Sequence, residues 1–406
     1  MMKQRPEILS PVGDMERLDA ALLYGADAVY LAGKRFGMRL APANFDEDEL
    51  ALAVQKAHAA GVRVYVTVNV LPRAADLPDL PAYFAYLQDI GVDALILADL
   101  GAMALARQYA PNVQQHVSTQ MGVVNHETAR VLYEMGAKRV VLARELSIEE
   151  VAEICAKAPK GLEIECFVHG AMCMGFSGRC MLSTYLTGRD SNHGECAQSC
   201  RWKYRIIEEK RPDALYGVEQ DETGTFFFNA KDLNMIEHVA QLADIGVASF
   251  KIEGRAKAPY YVAVTTNAYR QAVEGYVASG CSPDYRPEPW LCEELNTISH
   301  RPYSTGFYFG HPDQHTASNS YIRSWQVAAI VQDWQNGELL LQQRNRFCVG
   351  DTLTVLPPLE KPFTITVTSM RNDEGESIET APHPQMAVYL PFDRPLPTGT
   401  VIRRQS

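Results

Sequence analysis

The chain has 406 residues, 47% apolar and 21% charged, with a net charge of −11 and nine cysteines. That is the composition of a soluble globular protein of about two domains, large enough to build its core without disulfide staples. The acidic balance excludes indiscriminate nucleic-acid binding, which depends on neutralising phosphates, but leaves room for a local basic patch. No run approaches the roughly 20 apolar residues of a membrane span, and the opening MMKQRPEILSPVGDM has no signal-peptide core. A cytoplasmic location, with the cysteines reduced, is therefore expected.

In chain order, one phrase recurs: a helical run ending in glycine, a turn, then a short β-branched strand. It reads LLYGADAVYLAG at Gly25, AHAAGVRVYVTVN at Gly61 and LQDIGVDALILAD at Gly91. It returns as YEMGAKRVVLAR at Gly136, KAPKGLEIECFV at Gly161 and LADIGVASFKIEG at Gly246. A glycine just past a helix end supplies the left-handed cap, and the apolar runs that follow read as buried parallel strands. With Glu7–Pro11 and Val113–Ser118 the count is eight strands alternating with helices, the pattern of a TIM-like (β/α)8 barrel. From Gly161 to Gly246 the interval is roughly twice the longest earlier one, which predicts an insertion after the seventh strand, at the rim where barrel enzymes keep their active sites. The barrel is expected over residues 1–285, with the cysteine-rich insertion at about 170–225. Within it, Trp202–Glu208 and Thr225–Asn229 read as further strands. Pro283–Pro289 marks a boundary after a last helix at Tyr260–Ala278, and 286–324 reads as a connecting segment. From Trp325 the texture changes to short alternating strands (QVAAIVQDW, GELLLQQRN, DTLTVLPP, PFTITVTSM, MAVYLPF, GTVIRR), a small antiparallel β-barrel module over 325–406.

The insertion carries Cys173, Cys180, Cys196 and Cys200 in the pattern C-x6-C-x15-C-x3-C, among Arg179, Arg189, Arg201, Lys203 and Arg205. So Gly- and Cys-rich a stretch cannot build a core of its own, and thiolates on a metal would hold it in shape. Four thiolates suit tetrahedral zinc or an iron–sulfur cluster. The C-x2-C knuckles usual in structural zinc sites are absent, and loose spacings fit a cluster whose cysteines bind separate irons. One catalytic cysteine with incidental neighbours, and no metal at all, are the remaining readings. Cys155, Cys166, Cys281, Cys292 and Cys348 read as ordinary structural thiols.

The run ECFVHGAMCMGFSGRCMLS at 165–183 resembles the signature of the peptidase U-32 family, the collagenase-like proteins. NAKDLNM, SFKIEGRAKAPYYVA, LSPVGDMERLDAALLYGADAVYLAG and HVSTQMGVVN also resemble family blocks, in the same order along the barrel. The C-terminal module resembles that of the longer members, which include tRNA hydroxylation proteins. The resemblance implies two competing activities. One is peptide cleavage. The other is oxygen-independent hydroxylation of the tRNA wobble uridine to 5-hydroxyuridine, with a 4Fe-4S cluster on Cys173, Cys180, Cys196 and Cys200 and prephenate as a required metabolite. Relatives differ in the fourth ligand, which makes Cys200 the least secure of the four. A third reading, from another class, is a non-catalytic RNA-binding or assembly scaffold with a structural metal.

The residues weigh on that choice. H-E-x-x-H and G-x-S-x-G are both absent, and four crowded cysteines compete for the role of a single activated thiol. Hydroxylation instead needs a redox centre, an oxygen source and a pocket for an extruded base. Lys251 and Arg255 bracket the end of the last barrel strand as anchors for an anionic metabolite, or pair internally with Glu253 or Glu165. Glu253 stands between them as a candidate catalytic carboxylate. Lys231 and Asp232 follow the run FFFN as candidate catalytic residues; Asp232 is read either as catalytic or as a helix N-cap. His169, just past the seventh strand, is expected as a proton carrier, and Gln120, past the fifth, as a substrate contact. Glu145 reads as a rim carboxylate or a helix N-terminal charge, and Tyr260 as a stacking surface for a base.

Overall fold

In the computed structural model all six phrase-ending glycines hold the left-handed backbone, with φ between 73° at Gly61 and 104° at Gly136. An L side chain there would meet its own carbonyl, so glycine lets each helix stop and the chain turn at once into the next strand. The structure describes residues 5–37, 44–173, 175–202, 220–221, 224–225, 230–310 and 321–406.

The strands are β1 (Glu7–Pro11), β2 (Ala28–Leu31), β3 (Arg63–Val68), β4 (Ala94–Leu97), β5 (Gln114–Val117), β6 (Ala137–Val141), β7 (Glu163–Ala171) and β8 (Ser249–Ile252). Each lies parallel to the next, and β8 pairs with both β7 and β1, so the sheet closes into a TIM-like barrel. Between them run α1 (Met15–Leu23), α2 (Glu47–Ala59), α3 (Leu80–Asp89), α4 (Leu100–Tyr109), α5 (His126–Glu134), α6 (Ile148–Lys157), α7 (Val239–Asp244) and α8 (Pro259–Ala278). Side-chain oxygens of Asp14, Asp46, Asp99, Asn125 and Ser147 accept the free N–H groups at five helix starts, with full capping boxes at Asp46–Glu49 and Ser147–Glu150. No described helix is long and apolar enough to cross a membrane.

One strand breaks the uniform pattern. β7 has nine residues, and its end runs past the barrel rim to pair antiparallel with Asp232–Asn234, His169 opposite Asn234 and Ala171 opposite Asp232. The cysteine-rich segment leaves from this extension. The strands expected at Trp202–Glu208 and Thr225–Asn229 lie almost wholly outside the described residues, as do Lys203 and Arg205.

The C-terminal sheet is antiparallel and curls around its own core of Val331, Leu341, Leu353, Val388 and Ile402. Its order is Phe363–Thr366, Thr352–Leu356, Val401–Gln405, Trp325–Gln335, Glu338–Gln343, Ala387–Pro391, each strand falling on one of the six expected runs. The sheet is seated on the barrel through buried polar groups. Arg403 reaches Thr297 Oγ1 and Tyr260 Oη, each at 2.9 Å, and Glu294 Oε1 at 2.5 Å. Tyr24, fully buried, donates to the Leu356 carbonyl at 2.8 Å and accepts from the Val401 amide at 3.0 Å. Tyr24→Phe strands both of those backbone groups and should destabilise the protein by about 2 kcal/mol. A urea midpoint equal to that of the wild type would show that Tyr24 does not couple the two parts.

Candidate metal centre and active site

A polar barrel interior sets up the site. Glu7, Arg139, Glu165 and Lys251 point inward from β1, β6, β7 and β8, and all are buried. Arg139 donates to Glu7 Oε1 at 2.5 Å and to Glu165 Oε2 at 3.0 Å; the other oxygen of Glu165 accepts from Lys251 Nζ at 2.8 Å. Ser249 and Tyr65 complete the shell of Glu7 at 2.9 and 2.8 Å. Burial pushes the Glu7 carboxyl up, but the guanidiniums of Arg139 and Arg63 outweigh it and hold the group below the usual glutamate range. The chain alternates in sign from the floor of the barrel to its mouth, which satisfies charges that would otherwise be costly to bury.

At the C-terminal ends of the strands the interior opens into a cavity, and Cys173, Cys180, Cys196 and Cys200 all line it. None of the four is in a disulfide. Among the described residues no three His, Cys, Asp or Glu side chains form a group that could hold a single metal ion. Gln120, Lys251, Glu253 and Arg255 line the same cavity. Lys251 Nζ sits 4.6 Å from the centre of the Tyr30 ring and 5.5 Å from that of Phe167, so it keeps its partner Glu165 and also faces the cavity over two aromatic surfaces. Arg255 is buried and donates to Thr67 Oγ1 at 3.3 Å.

The cysteine segment is pinned from two barrel loops. Asn192 brackets Cys180, accepting from its amide at 3.3 Å and donating to its carbonyl at 3.2 Å. Residues of the β3–α3 loop hold the far side: Leu71 N donates to the Asn192 carbonyl at 3.3 Å, Asp76 pairs with His193 at 3.1 Å, and Arg73 pairs with Asp190. On the near side Glu145 grips Ser177, and Gly175 lies so close to Cys180 that a Cβ added there would stand 2.6 Å from the cysteine Cβ. Amide N–H groups of Leu182 and Gln198 point at the sulfurs of Cys180 and Cys196, each at 3.4 Å.

Other expected site residues lie elsewhere. His169 is within β7, not past it. It is buried among the rings of Tyr261, Tyr269 and Tyr303, at centroid distances of 5.4–5.9 Å, and does not line the cavity. Asp232 belongs to the strand paired with β7 and accepts from the Arg301 amide at 3.1 Å; it caps no helix, and neither it nor Lys231 lines the cavity. Tyr260 opens α8 against the C-terminal sheet, donating to Thr297 Oγ1 at 2.8 Å, and so presents no ring at the mouth. Both oxygens of Glu145 are engaged by Ser177, so its carboxylate organises the loop instead of facing a substrate. The sequence reading passed over Arg144, Asn192, Arg139 and the Glu7 carboxylate. Arg139 and Glu7 carried a signal: each is a charged residue inside a buried apolar strand.

Residues 13–318 match the profile of Peptidase family U32, and residues 323–403 match the Peptidase family U32 C-terminal domain. The chain belongs to peptidase family U32. Among curated relatives, "tRNA hydroxylation protein P1" of Bacillus subtilis is 35% identical over 100% of this chain and 96% of that protein. "tRNA hydroxylation protein P" of Escherichia coli is 35% identical over 97% of this chain and 95% of its own length. A protein named "Collagenase" from Porphyromonas gingivalis is also 35% identical, over 75% of this chain and 73% of that one.

Burial, and after it the neighbouring cation Lys257, lower the His169 pKa to about 3. The folded protein therefore refuses a proton that the unfolded chain takes up below about pH 6.5, and stability falls as the pH drops from there toward 3. His169→Asn should shrink the loss of stability between pH 7 and pH 5 by on the order of 2 kcal/mol. An identical loss in both proteins would mean that His169 is not buried neutral.

Proposed function

We propose that the chain hydroxylates the wobble uridine of tRNA to 5-hydroxyuridine, using a 4Fe-4S centre on Cys173, Cys180, Cys196 and Cys200. The observation that carries this reading is the convergence of all four cysteines on one cavity at the barrel mouth, beside Lys251 and Arg255. The relatives' names, tRNA hydroxylation proteins over nearly the whole chain, supply the substrate class. The donor set fits the group: four thiolates suit iron, and amide-to-sulfur hydrogen bonds at Cys180 and Cys196 are one means by which proteins tune such centres.

Exchanging C5–H for C5–OH is a two-electron oxidation of the pyrimidine; a hydroxylated metabolite such as prephenate that gives up its oxygen is reduced by the same two electrons, and so would serve as both oxygen source and electron acceptor. The cluster, when bound, supplies electron transfer. The chain's own residues do the rest. Arg255, Arg144 and the ammonium of Lys251 give a doubly anionic metabolite such as prephenate its cationic anchors. Gln120, buried at the cavity wall, offers an amide to the edge of an extruded base. Glu253 stands at the same wall as the candidate proton acceptor.

Peptide cleavage is the second reading, favoured by the collagenase-named relative. A thiol peptidase needs an imidazole beside its cysteine, and among the described residues lining the cavity none is histidine. The test is nucleoside analysis of tRNA from a strain lacking the gene, complemented with wild type or with a form bearing all four cysteines as serine. Wild type should restore 5-hydroxyuridine-derived nucleosides and the serine form should not. Equal restoration by both would leave the protein an RNA-binding scaffold. Restoration by neither, together with peptide cleavage by the purified protein, would establish the peptidase.

A further inference from the structure

Two adjacent residues of the β6–α6 loop, Arg144 and Glu145, hold both ends of the segment that joins Cys173 to Cys180. Arg144 Nη1 donates to the carbonyl of Ala171, two residues before Cys173, at 3.1 Å. Three residues before Cys180, Glu145 takes the Ser177 amide on one oxygen at 2.7 Å and the Ser177 hydroxyl on the other at 2.6 Å. The Arg144 amide donates in turn to Ser177 Oγ at 3.4 Å.

Ser177 needs such restraint. Its backbone is left-handed, at φ 45° and ψ 36°, and it is buried. A non-glycine residue stays in that region only where its surroundings over-determine it, and such positions gather at functional sites. Here the restraint comes from a carboxylate anchored in the rigid barrel. Releasing it would let Ser177 relax to right-handed backbone and turn Cys180 relative to Cys173.

We propose that Glu145 is a positioning residue for the metal centre, fixing Cys173 and Cys180 at the separation the centre requires through its double hydrogen bond to Ser177. The proposal rests on the reading of these thiols as metal ligands. Glutamine at 145 can keep both contacts: its carbonyl accepts the Ser177 amide and its NH2 donates to Ser177 Oγ. Glycine at 177 adopts the left-handed backbone without restraint, whereas alanine has neither the hydroxyl nor that freedom.

The experiment uses the full chain purified anaerobically. It reads iron and sulfide per chain, decay of the visible absorption under an iron(II) chelator, and thermal unfolding. Glu145→Ala should lose iron about 10-fold faster than wild type or more, the scale typical when a metal ligand loses its supporting hydrogen bond. Glu145→Gln should stay near wild type, and Glu145→Ala combined with Ser177→Gly should recover most of the retention. Ser177→Ala should lose iron faster than Ser177→Gly, a comparison that still decides the matter if Glu145→Ala does not fold. Wild-type protein with iron, and variants that all lose it at the wild-type rate, would overturn the clamp while sparing the metal centre. Glu145→Gln decaying as fast as Glu145→Ala would also overturn it, because the charge and not the paired hydrogen bonds would then matter. Wild-type protein without iron would overturn the metal reading and the clamp together.

Discussion

The carboxylate of Glu165 is the point on which the site depends. It is 1% exposed and shared, one oxygen facing Arg139 and the other Lys251. An isolated carboxylate at that depth would be untenable, and without it Lys251 would lose its carboxylate partner, whereas Arg139 would keep Glu7 and Glu163. Because Glu165 is satisfied from both sides, an ammonium can stand at the barrel mouth against Tyr30 and Phe167, beneath the thiols. The interior is thus a chain of alternating charge, and the cavity is its open end.

The two halves of the site have different origins. The barrel supplies charge and rigidity: Lys251, Arg255 and Gln120 come from strand ends whose positions the closed sheet fixes. The inserted segment supplies the sulfur, but it has little apolar core and exposes Phe176, Met181, Tyr185 and Trp202. What shapes it is hydrogen bonding to two loops of the barrel, at Asn192, His193 and Asp190 on one side and at Ala171 and Ser177 on the other. This division lets one barrel carry a centre whose geometry is set by a handful of polar contacts.

Much of the architecture was legible in the sequence because its signals are local. A helix-ending glycine with its following apolar run is decided within a dozen residues, and each such phrase became a strand of the barrel. The four cysteines were legible as a group for the same reason. The misplaced residues depend on contacts between distant segments. His169 looked like a rim residue because nothing near it announces that β7 continues to Ala171; the pairing partner is Asp232–Asn234, far along the chain. Tyr260 looked free to stack because the group that claims it, Arg403, lies at the other end of the sequence. Glu145 showed its carboxylate in the sequence but not the left-handed serine that it serves.

The claim at the centre is that the thiols at the barrel mouth bind iron as a four-iron cluster. Mössbauer and electron paramagnetic resonance spectra of the anaerobically purified protein test it most directly, read beside metal analysis of forms in which Cys173, Cys180, Cys196 and Cys200 are replaced in turn. The account predicts about four irons and four sulfides per chain with the spectrum of a 4Fe-4S centre, lost or degraded in each replacement. One zinc ion per chain, or iron content indifferent to those cysteines, would contradict it.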